Sequence, residues 1–274
     1  MQGIFKTSDQ YKLLTCSDWN VLIILDAFRG DVKEYTDLLH TIELEPRPIS
    51  SMAQHTYYYT RALYEIYKGR YLYYVNANPI VNKALLDLNK DGNPIPPWDF
   101  LNVWPESWKE FDADPVILPT DVLAKVEPFF NNQPKHLVIH LLQPHAPYIG
   151  NERLSSLVRD YDMLQKDVRL FELLRDAYKK NIEVVLPVLR TLLDSLEGRI
   201  IVTSDHGECL GDGGFYGHRP CLTEPCLGCV PWATQGSFAN LPLILKGVAG
   251  DVITEDLAKA RLRSLGYTEE ELSD

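Results

Sequence analysis

Short, unbroken apolar runs separated by stretches of helical spacing constrain this chain more than any other feature. The clearest runs cover 21–25 (VLIIL), 71–75 (YLYYV), 137–142 (LVIHLL), 199–202 (RIIV) and 241–245 (LPLIL). They are continuous rather than alternating, which is the pattern of strands covered on both faces. Between them, 31–40, 60–68, 80–88, 120–129 and 155–196 carry apolar residues at helical spacing, with Pro187 expected to kink or break the last stretch. This alternation predicts an α/β fold with a mainly parallel central sheet and helices on both faces. Residues 91–119, rich in Pro, Asp and Trp (PIPPWDF, VWPESW), read as an irregular insertion over one sheet edge. Residues 254–274 read as a C-terminal helix and tail, the helix stopping at Gly266. With no internal repeat and no low-complexity linker, the 274 residues are expected to form a single domain.

The 38 acidic and 27 basic residues leave a net charge of -11, which disfavours binding to a nucleic-acid backbone or an anionic membrane. No apolar run approaches the length of a membrane span, and the start MQGIFKTSDQYKLL lacks the layout of a signal peptide. The expectation is a soluble, cytoplasmic protein; oligomeric state is not legible. The 5 cysteines, with Cys16 far from the rest, do not suggest a secreted disulfide framework, so free thiols or a metal site are expected.

Ligands of an open parallel sheet gather at the carboxyl ends of its strands. VLIILDAFRGD places Asp26 at one such end, and RIIVTSDHGE places Asp205 and His206 at another. Carboxylates clustered at a buried edge are costly unless a cation offsets them. Two Asp and one His suit zinc or manganese, with calcium or magnesium as alternatives. The competing reading is that each Asp merely caps the helix that follows. The glycine-rich loop SDHGECLGDGGFYGH can return His218 towards Asp205 and His206, and QPHAPY sets His145 in a stiff turn just past a strand. His40, His55, His136 and His140 are read as ordinary structural histidines, His55 least securely so.

These motifs resemble the alkaline phosphatase superfamily, in the branch that holds sulfatases, phosphoethanolamine transferases and lipoteichoic-acid-synthase-like enzymes. The resemblance covers most of the chain. It implies metal ligation by Asp26, Asp205 and His206, with Arg29 in the place of the Arg that follows the first ligand. It also implies substrate contacts from His145, His218 and Arg29. The nucleophile that the family places at the start of a helix falls, counting back from Lys68-Gly69-Arg70-Tyr71, near Thr56, with Thr60 as competitor. A Thr hydroxyl activated by a metal, at a helix amino terminus that favours an anion, suits that role, and Thr56 would itself join the metal ligands.

The Cys-x-Pro-x-Arg signature of formylglycine sulfatases is absent around Thr56 and Thr60. Acids for a complete second metal site are not evident, so one metal is expected; a second ion would use His145 or His218. A short chain without the extra domain of full sulfatases or the membrane segments of lipid-modifying transferases suggests a small soluble or sugar-linked ester as substrate. Cys209, Cys221, Cys226 and Cys229, next to the glycine-rich loop, suggest either a structural zinc or a group of reduced core cysteines. The resulting expectation is a metal-dependent phosphoric or sulfuric ester hydrolase or transferase with a threonine nucleophile. The alternative is a catalytically degenerate relative that binds an anionic or glycan ligand.

Overall fold

Val21–Leu25 forms β1, and all of its side chains are buried. The structure, a computed structural model, describes residues 4–104, 109–111, 114–151, 154, 169–218 and 224–236. β1 sits at the middle of a seven-stranded sheet. Its parallel neighbours are β7 (Leu137–Leu141) and β8 (Ile200–Thr203). Beyond β7 come β3 (Leu72–Asn76) and the edge strand β4 (Trp98–Asn102), both parallel. Beyond β8 comes β11 (Cys229–Gln235), antiparallel both to β8 and to the other edge strand, β2 (Arg47–Ser50). Among the described residues two short antiparallel pairs complete the strands, β5 (Lys109–Phe111) with β6 (Asp114–Val116), and β9 (Cys209–Asp212) with β10 (Phe215–Gly217).

Successive strand side chains point to opposite faces. On one face Val21, Ile23 and Leu25 pack into a cluster with Tyr35 and Leu39 of α2 (Lys33–His40), Val122 of α5 (Pro119–Val126) and the apolar stripe of α6 (Arg169–Ser195). On the other face Leu22 and Ile24 are equally buried, and the helices α1 (Asp9–Cys16), α3 (Thr56–Tyr67) and α4 (Pro79–Lys90) contribute Leu13, Leu63 and Val81 to the core. Each such aliphatic side chain contributes about 1.5–3 kcal/mol by leaving water, which is why the two-sided apolar runs became the central strands. A 3₁₀ turn (Glu127–Phe130) extends α5, and the one-turn α7 covers Pro225–Gly228.

The sheet therefore has the expected mainly parallel order with helices on both faces, and two local expectations are corrected. The segment 91–119 is not wholly irregular, because Trp98–Asn102 pairs with β3 as the seventh strand. Only Trp98 of β4 is buried, so an edge strand left no continuous apolar signal. Pro187 does not end α6, which runs through it to Ser195. Pro187 and Glu183, whose carbonyl loses its usual partner, are both exposed, so water can satisfy that group. The predicted strand at 241–245, the tail at 254–274 and the first part of the 155–196 helix lie outside the described residues. Among the described residues no helix is long and apolar enough to cross a membrane.

Candidate active site

Asp26 follows β1, and Ser204, Asp205 and His206 follow β8, so parallel pairing of these neighbouring strands sets the three acidic and imidazole groups side by side. All three are fully buried. One ligand atom from each of Asp26, Asp205 and His206 lies within 4.8 Å of the other two. Ala27 adopts a left-handed φ of 61°, unusual for a residue with a Cβ, and its N–H donates to Asp205 Oδ1 at 3.0 Å. The Tyr178 hydroxyl donates to the Ala27 carbonyl and accepts from the Arg29 N–H, which holds this turn from α6. Beneath the site the buried Gln10 side chain donates to Thr203 Oγ1 and the Ser204 carbonyl, and accepts from Ser51 and Met52.

Thr56 opens α3. Its hydroxyl donates to Asp205 Oδ2 at 2.8 Å and lies 3.2 Å from His206 Nε2. Thr60, one turn later, instead donates its hydroxyl to the Thr56 carbonyl at 2.9 Å. Of the two candidate threonines, the fold brings only Thr56 to the carboxylates. The His206 Nδ1–H donates to the Gly207 carbonyl at 2.7 Å, which leaves Nε2 with a lone pair facing Thr56. Gly207 is required here, since a Cβ on it would stand 2.0 Å from the Cys226 carbonyl oxygen.

His145 and His218 reach the same place. The His218 ring centre is 4.2 Å from that of His206 and 4.9 Å from that of His145. His145 Nδ1–H donates to the Ala146 carbonyl. His218 Nδ1–H donates to the buried Glu208 at 3.0 Å. His145, Glu208 and His218 form a second group with ligand atoms within 4.8 Å of one another.

The electrostatics follow from burying two acids together. Burial and the Asp26 charge push the Asp205 carboxyl up to about 6. Burial also works against Asp26, but the nearby His140, His145 and His206 rings more than offset it, and its carboxyl is held below the ordinary range. Two carboxylates this close share protons as a pair. Burial keeps His206 neutral, well below its ordinary value, and lowers His55 to about 4. Burial opposes the charge on His218 too, but Glu208 prevails and raises it to about 9.

Residues that sequence reasoning missed complete the site. Asn78, N-cap of α4, accepts the Ile80 N–H on Oδ1, so its Nδ2 must face the other way, towards Asp26 Oδ2 and, at 3.4 Å, Thr56 Oγ1. The Asn-Pro pair after a strand was the available signal. Glu208 lies inside the quoted SDHGE motif. His55 caps α3 by accepting the Tyr57 N–H on Nδ1, and its ring centre is 5.3 Å from that of His218. His140, expected to be structural, has Nε2 3.4 Å from Asp26 Oδ2.

Two expectations change. The Arg29 guanidinium is already engaged within the protein, with Asp31 accepting from Nε and Nη2 and Asp212 from Nη1, so any substrate contact falls to its remaining N–H groups. It clamps the β9 end to the turn after β1. Cys209 and Cys226 form a disulfide, which removes two of the four proposed zinc ligands and also the reading of a wholly reduced group. Cys229 is a free thiol that burial raises to about 11, and Cys221 lies outside the described residues. The cysteines therefore no longer argue for a reducing compartment.

No protein-family model matches the chain. It is 34% identical over 158 residues to the low-salt glycan biosynthesis sulfotransferase Agl7 of Haloferax volcanii, a match covering 53% of this chain. The chain spans only 35% of that relative's length. In three dimensions it is similar to the soluble domain of lipooligosaccharide phosphoethanolamine transferase A from Neisseria meningitidis. There the TM-score is 0.53 at 16% identity, over 85% of this chain and 79% of that one. The integral membrane form of the same transferase gives a TM-score of 0.50 at 16% identity, over 85% of this chain and 49% of that one. With its sheet order and strand-end site, this chain has the fold of the alkaline phosphatase superfamily.

Proposed function

We propose that this protein transfers or hydrolyses a phosphate or sulfate ester through a covalent Thr56 intermediate, with a divalent metal held by Asp26, Asp205, His206 and Thr56. The observation that carries the reading is the Thr56 hydroxyl, 2.8 Å from Asp205 Oδ2 among buried groups with unspent ligand atoms. Among the described residues Asp26 Oδ1 is buried without a hydrogen-bond partner, and the His206 tautomer turns a lone pair the same way. A buried, unsatisfied carboxylate oxygen is costly, and a cation fits that donor set. Bound there, zinc or manganese would lower the hydroxyl pKa of Thr56 and offset charge on the transferred group.

The chain's own residues supply the remaining steps. Thr56 Oγ attacks the phosphorus or sulfur atom and passes its proton to Asp205 Oδ2 as the bond to the leaving oxygen breaks. Asn78 orients the Thr56 oxygen. His218, kept protonated by Glu208, delivers a proton to the leaving alcohol. Water or an acceptor alcohol then attacks the threonine ester and gives its proton to His218, while the departing Thr56 oxygen takes back its proton from Asp205 Oδ2. His55, whose Nδ1 accepts the Tyr57 N–H so that Nε2 carries its proton, flanks His218 and can hold an oxygen of the transferred group, and His145 lines the same place. A small soluble or sugar-linked ester is the proposed substrate class, and the glycan sulfotransferase likeness is consistent with the sugar-linked choice.

The test is to strip the protein with a chelator, restore zinc or manganese, and follow chromogenic phosphomonoester, phosphodiester and sulfate substrates. The expected result is metal-dependent turnover, with a trapped phosphoryl or sulfuryl adduct mapped to Thr56 by mass spectrometry. Turnover that is indifferent to metal, or an adduct elsewhere, refutes the mechanism. Binding of these esters without any turnover favours the degenerate relative.

A further inference from the structure

His140 stands in the middle of β7, paired in register with Ile24 of β1 and Asn76 of β3, and is fully buried. A histidine in such an apolar strand needs partners for both ring nitrogens. Nδ1 has one, the Tyr74 hydroxyl on β3 at 3.0 Å. Among the described residues Nε2 has no well-formed hydrogen bond, yet it faces two carboxylates, 3.4 Å from Asp26 Oδ2 and 3.8 Å from Asp205 Oδ2. Tyr74 is itself fully buried, and its hydroxyl makes no other hydrogen bond among the described residues.

We propose that Tyr74 and His140 are a positioning pair for the metal-ligating carboxylates, Tyr74 donating to His140 Nδ1 so that Nε2–H faces Asp26 and Asp205. This rests on the metal reading of the site given above. The direction follows from the two carboxylates: a lone pair on Nε2 would face Asp26 and Asp205 oxygens and be repelled, so Nε2 carries the proton, Nδ1 accepts and the Tyr74 hydroxyl donates. With Nδ1 accepting, Nε2 is the nitrogen that carries the ring proton. That proton and Asn78 Nδ2 both approach Asp26 Oδ2, which leaves Oδ1, the unpartnered oxygen, as the one free to bind the cation. The pair thus selects which oxygen of Asp26 is presented. Groups of this kind, which orient a ligand without touching the metal, typically change metal affinity by about 10–100-fold.

The experiment measures metal affinity of the whole chain by competition with a chromogenic chelator, using zinc and manganese alone. His140→Leu, confirmed as folded by near-ultraviolet circular dichroism, should bind about 10–100-fold more weakly than wild type. His140→Gln, which can still present an N–H, should recover part of the loss. Tyr74→Phe should weaken binding in the same direction by a smaller factor. A long-range ¹H–¹⁵N correlation spectrum reads the tautomer directly and does not depend on either leucine or glutamine variant folding. The Nε2–H form of His140 is expected in wild type, and a changed form in Tyr74→Phe. A packing role alone predicts lower melting temperatures with unaltered affinity. Wild-type binding with equal affinity in the folded variants, or an Nδ1–H tautomer in wild type, overturns this inference alone. A wild type that binds no divalent metal overturns the reading of the site and this inference with it.

Discussion

Glu208→Gln tests how the site keeps a proton available for the leaving group. Glu208 is buried, and its carboxylate accepts from His218 Nδ1 at 3.0 Å, with the two side chains only 2% and 15% exposed. Burial alone would lower the imidazole, yet the pair raises it to about 9. At about pH 7.5 that leaves roughly 97% of His218 protonated; with the carboxylate neutralised, an ordinary value of about 6.5 would leave roughly 9%. Glu208→Gln should therefore lose about tenfold in kcat/KM at that pH, and recover as the pH falls towards 6. The substrate should be an alkyl ester, whose leaving oxygen needs the proton. Stability follows the same linkage. The raised histidine contributes stability fully below about pH 6.5 and loses it as the pH rises through about 9, an upper bound on the order of 3 kcal/mol. The variant should thus be destabilised relative to wild type most at about pH 6, and less on the alkaline side. Titration of the His218 ring protons by NMR reads the pKa without turnover. A variant with the wild-type rate at about pH 7.5 and an unchanged His218 titration would refute the reasoning.

Thr56→Ala should abolish turnover and the covalent adduct, whereas Thr60→Ala should keep activity and lose about 1 kcal/mol in a denaturant melt, since it gives up only a bond to the Thr56 carbonyl; activity in both single variants removes the threonine mechanism. Asp205→Asn and His206→Ala should each lower metal stoichiometry and activity together, and unchanged metal content in both sinks the ligand assignment. Because the Asp205 carboxyl is raised to about 6, it contributes stability below its ordinary value of 3.8 and loses it as the pH rises through 6. The metal-free Asp205→Asn protein should therefore gain on wild type in melting temperature between about pH 4 and pH 7, and a difference that does not vary with pH contradicts the raised value. Replacing Cys209 and Cys226 by Ser should cost about 3 kcal/mol for a loop closed over a separation of 17 residues, measured by denaturant unfolding; equal stability of variant and wild type argues against the disulfide.

The sequence by itself determined the central strands and the two acidic strand ends. Val21–Leu25, Leu137–Leu141 and Ile200–Thr203 are covered on both faces, so burial wrote itself into composition as unbroken apolar runs. Asp26, Asp205 and His206 stood out because a charge directly after such a run is expensive without a partner. The edge and antiparallel strands β2, β4 and β11 were not legible, because a strand covered on one side or carrying Pro231 leaves no such run. Counting along the sequence pointed to Thr56 with Thr60 as competitor, and the tertiary structure separates the two, since one helical turn divides a hydroxyl at the carboxylates from one bonded back to its own helix. It alone paired Cys209 with Cys226, committed Arg29 to Asp31 and Asp212, and turned His140 and Asn78 towards Asp26. Each of these depends on which strands are neighbours and in what register. Spacing along the chain reports local periodicity and burial, while the partner that a polar side chain meets is set by elements brought together from far apart in sequence.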